Sequence, residues 1–435
     1  MELIKDFLMR IQFQSLSLAG IMINLLAFLL FLVVMLNTSA SSAGSGIKVG
    51  AEVLYENAFK DLRGKHIGLI TNQTAMVHGI HVIEVMHANG MQLVALFAPE
   101  HGLSGFQEDG ENVRNGFDKC AGTRVYSLYG RDTKPTPEML RGLDILVFDV
   151  QGLGTRFYTF ISTMGLAMQA ASAAHIPFLV LDRPNPLGGD YLAGPVLKSG
   201  YASFVGEYPI PVAYGLTIGE LALMIKGERM LPGVEDLDLR VIRMEGWQRG
   251  MQWPETGLAW VRTSPNIPDF PTALLYPGIC FLEGTAASMG RGTLEPFKLV
   301  GFPGINSDNL AKQLNDRNLS GVRFEPAVFS PRSIPGMSST PKFADQQIPG
   351  VRIIITNPHA YRPVETGVQL LSALYGSLSQ KDRDAFFQDK GFDQLAGTDT
   401  LRKAIESGSP PQDIIAGWQR DSELFAEKRR SYLLY

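Results

Sequence analysis

Five carboxylates stand where this chain of alternating apolar and helical segments turns: Glu100, Asp149, Asp182, Glu207 and Glu283. Breaking a glycosidic bond takes one carboxylic acid to protonate the leaving oxygen, and usually a second carboxylate as base or nucleophile. Glu100 lies in PEHG (99–102), directly after the apolar stretch LVALFA (93–98). A glutamate that acts as an acid near neutral pH needs its pKa raised by burial or by a neighbouring like charge. The end of an apolar strand offers that burial, so Glu100 is the first catalytic candidate, with His101 beside it and Asp149 as a further carboxylate. Arg156, Arg183 and Arg291 could clamp an anionic substituent through paired N–H groups. Tyr126, Tyr158, Tyr214 and Tyr276 offer ring and hydroxyl surface to a sugar, although the same rings also pack well in a core. Taken singly, each of these residues is equally well explained as a satisfied loop or core group.

Other chemistries lack their patterns. HGIH (78–81), and His101 with Glu108, Asp109 and Glu111, supply metal donors but no HExxH or comparable spacing, so no metal is expected. Ser104 in GLSG is not the G-x-S-x-G elbow of a serine nucleophile. GLGTRF (152–157) lacks the third glycine of a dinucleotide loop, and GxxxxGK[ST] does not occur, so no nucleotide is expected. Cys120 and Cys280 are far apart without CxxC spacing. Arithmetic allows one disulfide, and two buried free thiols is the plainer expectation.

The elements that would position these groups follow from the apolar rhythm. KHIGLIT (65–71), MQLVALFAP (91–99), TRVYSLYG (123–130), DILVFDVQG (144–152) and IPFLVLDRPNP (176–186) read as strands. HVIEVMHANG (81–90) and FYTFISTMGLAMQAASAAH (157–175) have helical spacing, and TIGELALMIKGE (217–228) opens with a capping box, Thr217 and Glu220. Short apolar strands alternating with helices predict an α/β fold, a Rossmann-like parallel sheet with helices on both faces. Asn72 and Gln73, Glu100 and His101, Asp149 and Gln151, and Asp182, Arg183 and Asn185 all fall at strand ends, and ligands of open α/β sheets bind beyond the carboxyl ends of their strands. Proline and glycine become frequent after residue 265. A smaller C-terminal α+β domain is expected there, with GVRIIITN (350–357) as a strand, VETGVQLLSALYG (364–376) as a helix and a charged helix near 411–430 that SGSPPQDII introduces.

The expected divisions are thus 1–46, 47–268 and 269–435. In the first, Lys5 and Arg10 precede an apolar run ending near Leu36, followed by small residues at Ser41 and Ala43. This describes an export signal. At about 20 residues the run is also long enough to serve as an uncleaved membrane anchor. The remainder is expected outside the cytoplasm, periplasmic or extracellular. The 435 residues are 45% hydrophobic and 19% charged with a net charge of −4, which gives no reason to expect a nucleic-acid partner. Nothing in the sequence indicates an oligomeric state.

TNQT (71–74), PEHG (99–102), SLYG (127–130), FDVQGLGTRFYT (148–159), LDRPNPLGG (181–189), FVGEYPIPVAYGLTIGELA (204–222), SPNIP (264–268), YPGICFLEGT (276–285) and GRGTLEPF (290–297) together resemble the bacterial exo-β-N-acetylmuramidases, long known only as a domain of unknown function. The likeness runs from about residue 48 to Tyr435. It implies an active site between a Rossmann-like domain and a smaller C-terminal domain. It also implies release of N-acetylmuramic acid from the non-reducing end of peptidoglycan fragments, without metal or organic cofactor. On this resemblance Glu100 is the acid/base candidate with His101 beside it, Asp182, Arg183 and Asn185 face the sugar, and Glu283 and Arg291 come from the second domain. The substrate-binding candidates are completed by Asn72, Gln73, Gln151, Arg156, Tyr158, Glu207, Tyr214 and Asn266. The lactyl carboxylate of muramic acid would give the arginines a purpose. The chain departs from the family at Gly152, where aspartate is frequent, at Tyr214, where histidine is, and at Ala286, where asparagine is. The departures keep open a non-catalytic muropeptide-binding protein, and a hydrolase of another amino sugar or an esterase is a further alternative.

Overall fold

The computed structural model describes residues 46–435 without Asn112, and of Asp389 only the backbone. The export or anchor segment read at 1–46 lies outside the described residues apart from Gly46. Within them, no helix is long and apolar enough to cross a membrane.

The main sheet grows from runs that are apolar on both faces. Strands β1 (His66–Thr71), β4 (Gln92–Ala98), β7 (Ile145–Asp149) and β8 (Phe178–Leu181) form its middle, and β7 and β8 are buried at every position. Between β1 and β4 a short hairpin forms, β2 (Met76–Val77) with β3 (Ile80–His81). With β5 (Gly116–Asp118), β6 (Thr123–Ser127) and β9 (Leu239–Ile242) the strand order is β5-β6-β4-β1-β7-β8-β9. Every neighbouring pair is parallel except the edge strand β5. The chain builds outward from β1 through β4 to β6, then returns to lay β7 on the other side of β1. The switch point therefore lies between β1 and β7, where Thr71 pairs with Asp149.

The two-residue period of the strands sorts side chains onto two helical layers. Ile67, Leu69, Leu96, Val147, Leu179 and Leu181 pack with helices α1 (Gly50–Glu56) and α2 (Val82–Ala88). Ile70, Phe97, Leu146, Phe148, Phe178 and Val180 pack with α3 (Phe160–Ala173) and α4 (Ile218–Gly227). The α4 capping box is formed as expected: Thr217 Oγ1 accepts from the Glu220 amide at 3.2 Å, and Glu220 Oε2 accepts from the Thr217 amide at 3.0 Å. Helix α3 begins later than its apolar pattern, because Phe157–Thr159 turn into the site described below.

The later part carries its own antiparallel sheet, β10 (Leu299–Gly301), β12 (Ile348–Ile355) and β11 (Val322–Phe329) in that order. Of helices α5 (Phe270–Ile279), α6 (Ser307–Asn315) and α7 (Pro363–Gly376), α6 packs on this sheet, α7 against α6, and α5 against α7. Helices α5 and α7 approach closely through Gly278 and Gly367, since a β-carbon at Gly278 would lie 2.0 Å from the Pro363 carbonyl oxygen. Short helices follow, α8 (Gln380–Arg383), α9 (Asp389–Ala396) and α10 (Thr400–Glu406). The single helix expected near 411–430 is two, α11 (Pro411–Ala416) and α12 (Gln419–Arg429), because the chain breaks at Gly417 and buries Trp418. Both cysteines are free, with Cys280 buried; Cys120 is exposed beyond β5, against the expectation that both would be buried. One apolar core runs from the main sheet into the later part, and Ile47–Tyr435 form one compact unit.

Candidate active site

Glu100 is delivered by the loop that leaves β4. The loop turns at once: His101 takes φ +69° and Gly102 φ +75°, two successive left-handed residues. Glycine is suited to the second, because a β-carbon there would meet Gln107 Oε1 at 2.6 Å. The turn leaves Glu100 almost buried, at 9% exposure. Its carboxylate accepts from the Thr159 hydroxyl at 2.5 Å and from the Gly110 amide at 3.4 Å. Burial, followed by the charge and hydrogen bond of Glu100, holds the neighbouring Tyr129 hydroxyl well above its usual value. Tyr129 therefore stays protonated and able to donate.

His101 Nδ1 lies 2.8 Å from the Gln107 carbonyl oxygen. A carbonyl can only accept, so Nδ1 carries the proton and Nε2 is free to accept when the ring is neutral. Nε2 lies 3.5 Å from Asp109. Asp109 is also bonded to Arg291, and Arg291 to Glu283, so an alternating chain of charges joins the Glu100 loop to the turn after α5. Although burial alone would lower it, Glu283 and Asp109 keep the Arg291 guanidinium firmly charged. Arg291 also lies over the Phe297 ring, 5.2 Å from its centroid.

An aromatic wall backs this chain: Tyr158 packs on Tyr276 at 5.7 Å between centroids, and Tyr276 on Phe157 at 5.5 Å and Phe297 at 5.1 Å. Tyr158 senses the charge of Glu100, and its hydroxyl sits near Thr263 and Ser264. The Tyr158 hydroxyl, Thr263 Oγ1 and Asn266 Oδ1 are all buried without a partner within hydrogen-bond geometry, while Asn266 Nδ2 donates to the Met337 carbonyl at 2.7 Å. Buried polar atoms are nearly always paired, so a group of orphans beside a carboxylate and an arginine marks a place where a polar ligand can complete them.

Two further residues tie the site to the later part, and the first of them, Lys342, was not singled out by the sequence. Lys342 donates to the carbonyls of Leu282 and Glu283, each at 3.2 Å, and of Thr285 at 2.5 Å, fixing the turn that carries Glu283. Burial pushes its ammonium down to about 8. Glu108, on the Glu100 loop, accepts from the amides of Gly336 at 2.8 Å and Ser339 at 2.7 Å, and from the Ser339 hydroxyl.

The remaining candidates have other surroundings. Asp149 is closed into a buried bidentate pair with Arg183, at 2.5 Å and 3.0 Å, at the switch point. Asp182 caps α4 through the Gly219 amide (2.7 Å) and the Thr217 hydroxyl (2.8 Å) and accepts from the Tyr435 hydroxyl at 2.8 Å; burial pushes its carboxyl up to about 6. Asn185 ties the Leu187 amide to the Leu216 carbonyl. Gln151 Nε2 binds the carbonyls of Gly152 and Pro184. Arg156, fully buried, donates to the carbonyls of Pro195, Ile210 and Leu395, and burial lowers it to about 9. Tyr214 is wholly buried. Asn72 holds Thr74, and Gln73 Nε2 donates to the Arg262 carbonyl at 2.8 Å. Glu207 is partly buried, which raises its carboxyl above the usual range. Nearby Phe204 packs on Tyr129 at 5.7 Å. The structure thus gathers Glu100, His101, Tyr158, Asn266, Glu283 and Arg291 with Tyr129, Thr159, Asp109 and Lys342. It gives Asp149, Gln151, Arg156, Asp182, Arg183 and Asn185 internal partners. Thr159, Tyr129 and Lys342 carried no signal, since a hydroxyl or an amine acquires its role here from residues distant in sequence.

Comparison with known proteins places the chain among relatives. Residues 67–271 match the family described as exo-beta-N-acetylmuramidase NamZ, N-terminal, and residues 274–435 its C-terminal counterpart. The peptidoglycan beta-N-acetylmuramidase NamZ of Bacillus subtilis (strain 168) is 41% identical over 394 residues, 89% of this chain and 91% of that protein. Two crystal structures of DUF1343 family proteins from Bacteroides fragilis NCTC 9343 are similar. One has a TM-score of 0.82 at 37% identity and the other 0.74 at 35%, each covering 90% of this chain and 99% of the other. With both family halves matched in order and this identity across most of its length, the chain belongs to the NamZ exo-β-N-acetylmuramidase family.

Proposed function

We propose that this chain is a glycoside hydrolase that releases N-acetylmuramic acid from the non-reducing end of peptidoglycan fragments. The observation that carries the reading is Glu100, nearly buried at a strand end and bonded to Thr159, facing a wall of unpartnered polar atoms and the Arg291 charge chain. In this reading Glu100 gives its proton to the glycosidic oxygen as the bond to the anomeric carbon breaks. Water adds its hydroxyl to that carbon and passes its other proton to the Glu100 carboxylate, which restores the acid. Arg291 faces the lactyl carboxylate, exchanging part of its pairing with Asp109 or Glu283 for the substrate. The family membership and the relative from Bacillus subtilis support the sugar and the linkage. The reading extends to an exported protein working in cell-wall turnover, periplasmic or extracellular, on the strength of Lys5, Arg10 and the apolar run to Leu36. Fractionation of cells producing the full chain tests that part: recovery only from the cytosol would overturn it.

The activity is tested with a 4-nitrophenyl glycoside of β-N-acetylmuramic acid and with disaccharides carrying that sugar at the non-reducing end. Release of the sugar is expected. Glu100→Gln should lower kcat by about a thousandfold or more with an unchanged melting temperature. Cleavage of N-acetylglucosaminides instead would overturn the substrate. Binding without turnover would favour a muropeptide-binding protein.

A further inference from the structure

The loop that carries Glu100 also forms one side of a separate pocket of about 650 Å³, of which Glu100 and Thr159 are not part. Among the described residues only two phenylalanines stand in solvent, Phe106 at 69% exposure and Phe117 at 63%. Both line this pocket. Gln73 and Gln107 line it as well, and each has a buried Oε1 without a partner. Glu84 and Asp118, Arg114, His81 and Ser104 supply the other polar side chains of its lining.

Exposed apolar rings gathered in one concavity mark a binding surface, and the volume falls within the roughly 300–1,000 Å³ of small-ligand sites. A pyranose ring offers flat C–H faces to aromatic rings and hydroxyls to amides. Two phenyl rings match the C–H faces of a pyranose, the two amides, the Ser104 hydroxyl and the Glu84 and Asp118 carboxylates match its hydroxyls, and two acids against one arginine disfavour an anionic ring. We infer that this pocket holds a pyranose of the glycan beyond the bond that is cut, as an accessory site on the catalytic loop. This rests on the proposed exo-acting reading, in which all of the substrate but one sugar lies outside the site at Glu100.

The test compares the full-length wild type with the double variant Phe106→Ala/Phe117→Ala on two substrates: the 4-nitrophenyl glycoside and a peptide-free tetrasaccharide of alternating N-acetylmuramic acid and N-acetylglucosamine. The expected result is a rise in KM for the tetrasaccharide on the order of tenfold, with the nitrophenyl glycoside kinetics unchanged. Unchanged KM for both substrates, or an equal loss on both, would overturn the accessory site. If the wild type turns over neither substrate, the proposed activity fails by itself, and calorimetry with the tetrasaccharide still decides the pocket. Binding by the wild type that weakens about tenfold in the double variant supports it. Equal binding by the two proteins, or none by the wild type, overturns it.

Discussion

His101 and Gly102 show how the loop carrying Glu100 is held at the scale of single residues. Both take left-handed backbone, at φ +69° and +75°, and only the glycine does so freely. Gly102→Ala forces a β-carbon against Gln107 and should destabilise the protein by about 1–3 kcal/mol, seen as a lowered melting temperature; an unchanged one would show that the loop relaxes without cost. Thr159 donates the shortest bond Glu100 receives, at 2.5 Å. Thr159→Val keeps the shape but removes the donor, and kcat should fall on the order of tenfold with folding intact. Normal turnover would mean that the hydroxyl does not orient Glu100. PEHG was legible as a site because a glutamate and a histidine directly after a core strand are unusual. The partners of that glutamate were not, for Thr159 is 59 residues away in sequence.

At the scale of elements, the turn between α5 and β10 depends on one lysine. Lys342 bonds three carbonyls of residues 282–285, and the charged groups acting on it are Glu283 and Arg291. Its folded value of about 8 lies below the 10.5 of a free lysine. Below 8 both folded and unfolded chains hold the proton, and burying the charge costs the fold a constant amount. Between 8 and 10.5 the unfolded chain binds more protons, so this group's contribution to stability rises with pH. Activity should move the other way, because the neutral amine has one N–H fewer for its three carbonyls. The expectation is an alkaline limb in kcat/KM near pH 8 that disappears in a less active Lys342→Met variant. Pronounced persistence of that limb in the variant would assign it to another group. Strand β12 and helix α7 were readable from their period, whereas α5, which holds Pro277 within it, and the break at Gly417–Trp418 were not, because packing and the burial of Trp418 outweigh local preference.

For the whole molecule, the Glu108 contacts tie the main-sheet loop to residues 336–339. Burial alone would raise the Glu108 carboxyl, but the Ser339 hydroxyl and the amides of Ser339 and Gly336 hold it below the usual value. A lowered carboxyl stabilises the fold above the unfolded value near 4.5, and that contribution is lost as pH falls through the lower folded value. Glu108→Ala should speed amide hydrogen exchange in 331–342 by about tenfold or more at neutral pH; equal exchange in variant and wild type would show that the latch contributes nothing.

The order of strands and helices, the capping box at Thr217 and the strand-end position of Glu100 follow from local rules, the two-residue and 3.6-residue periods and the chemistry of caps and turns. Tertiary structure alone decided which polar residues at those strand ends remain available. Asp149 and Arg183 cancel one another inside the sheet edge, and Asp182 caps a helix, whereas Glu100 finds Thr159 and the Arg291 chain across the fold. The reason is physical. Apolar periodicity is written along the chain, but the pairing of a buried charge depends on which distant group the packing brings within reach.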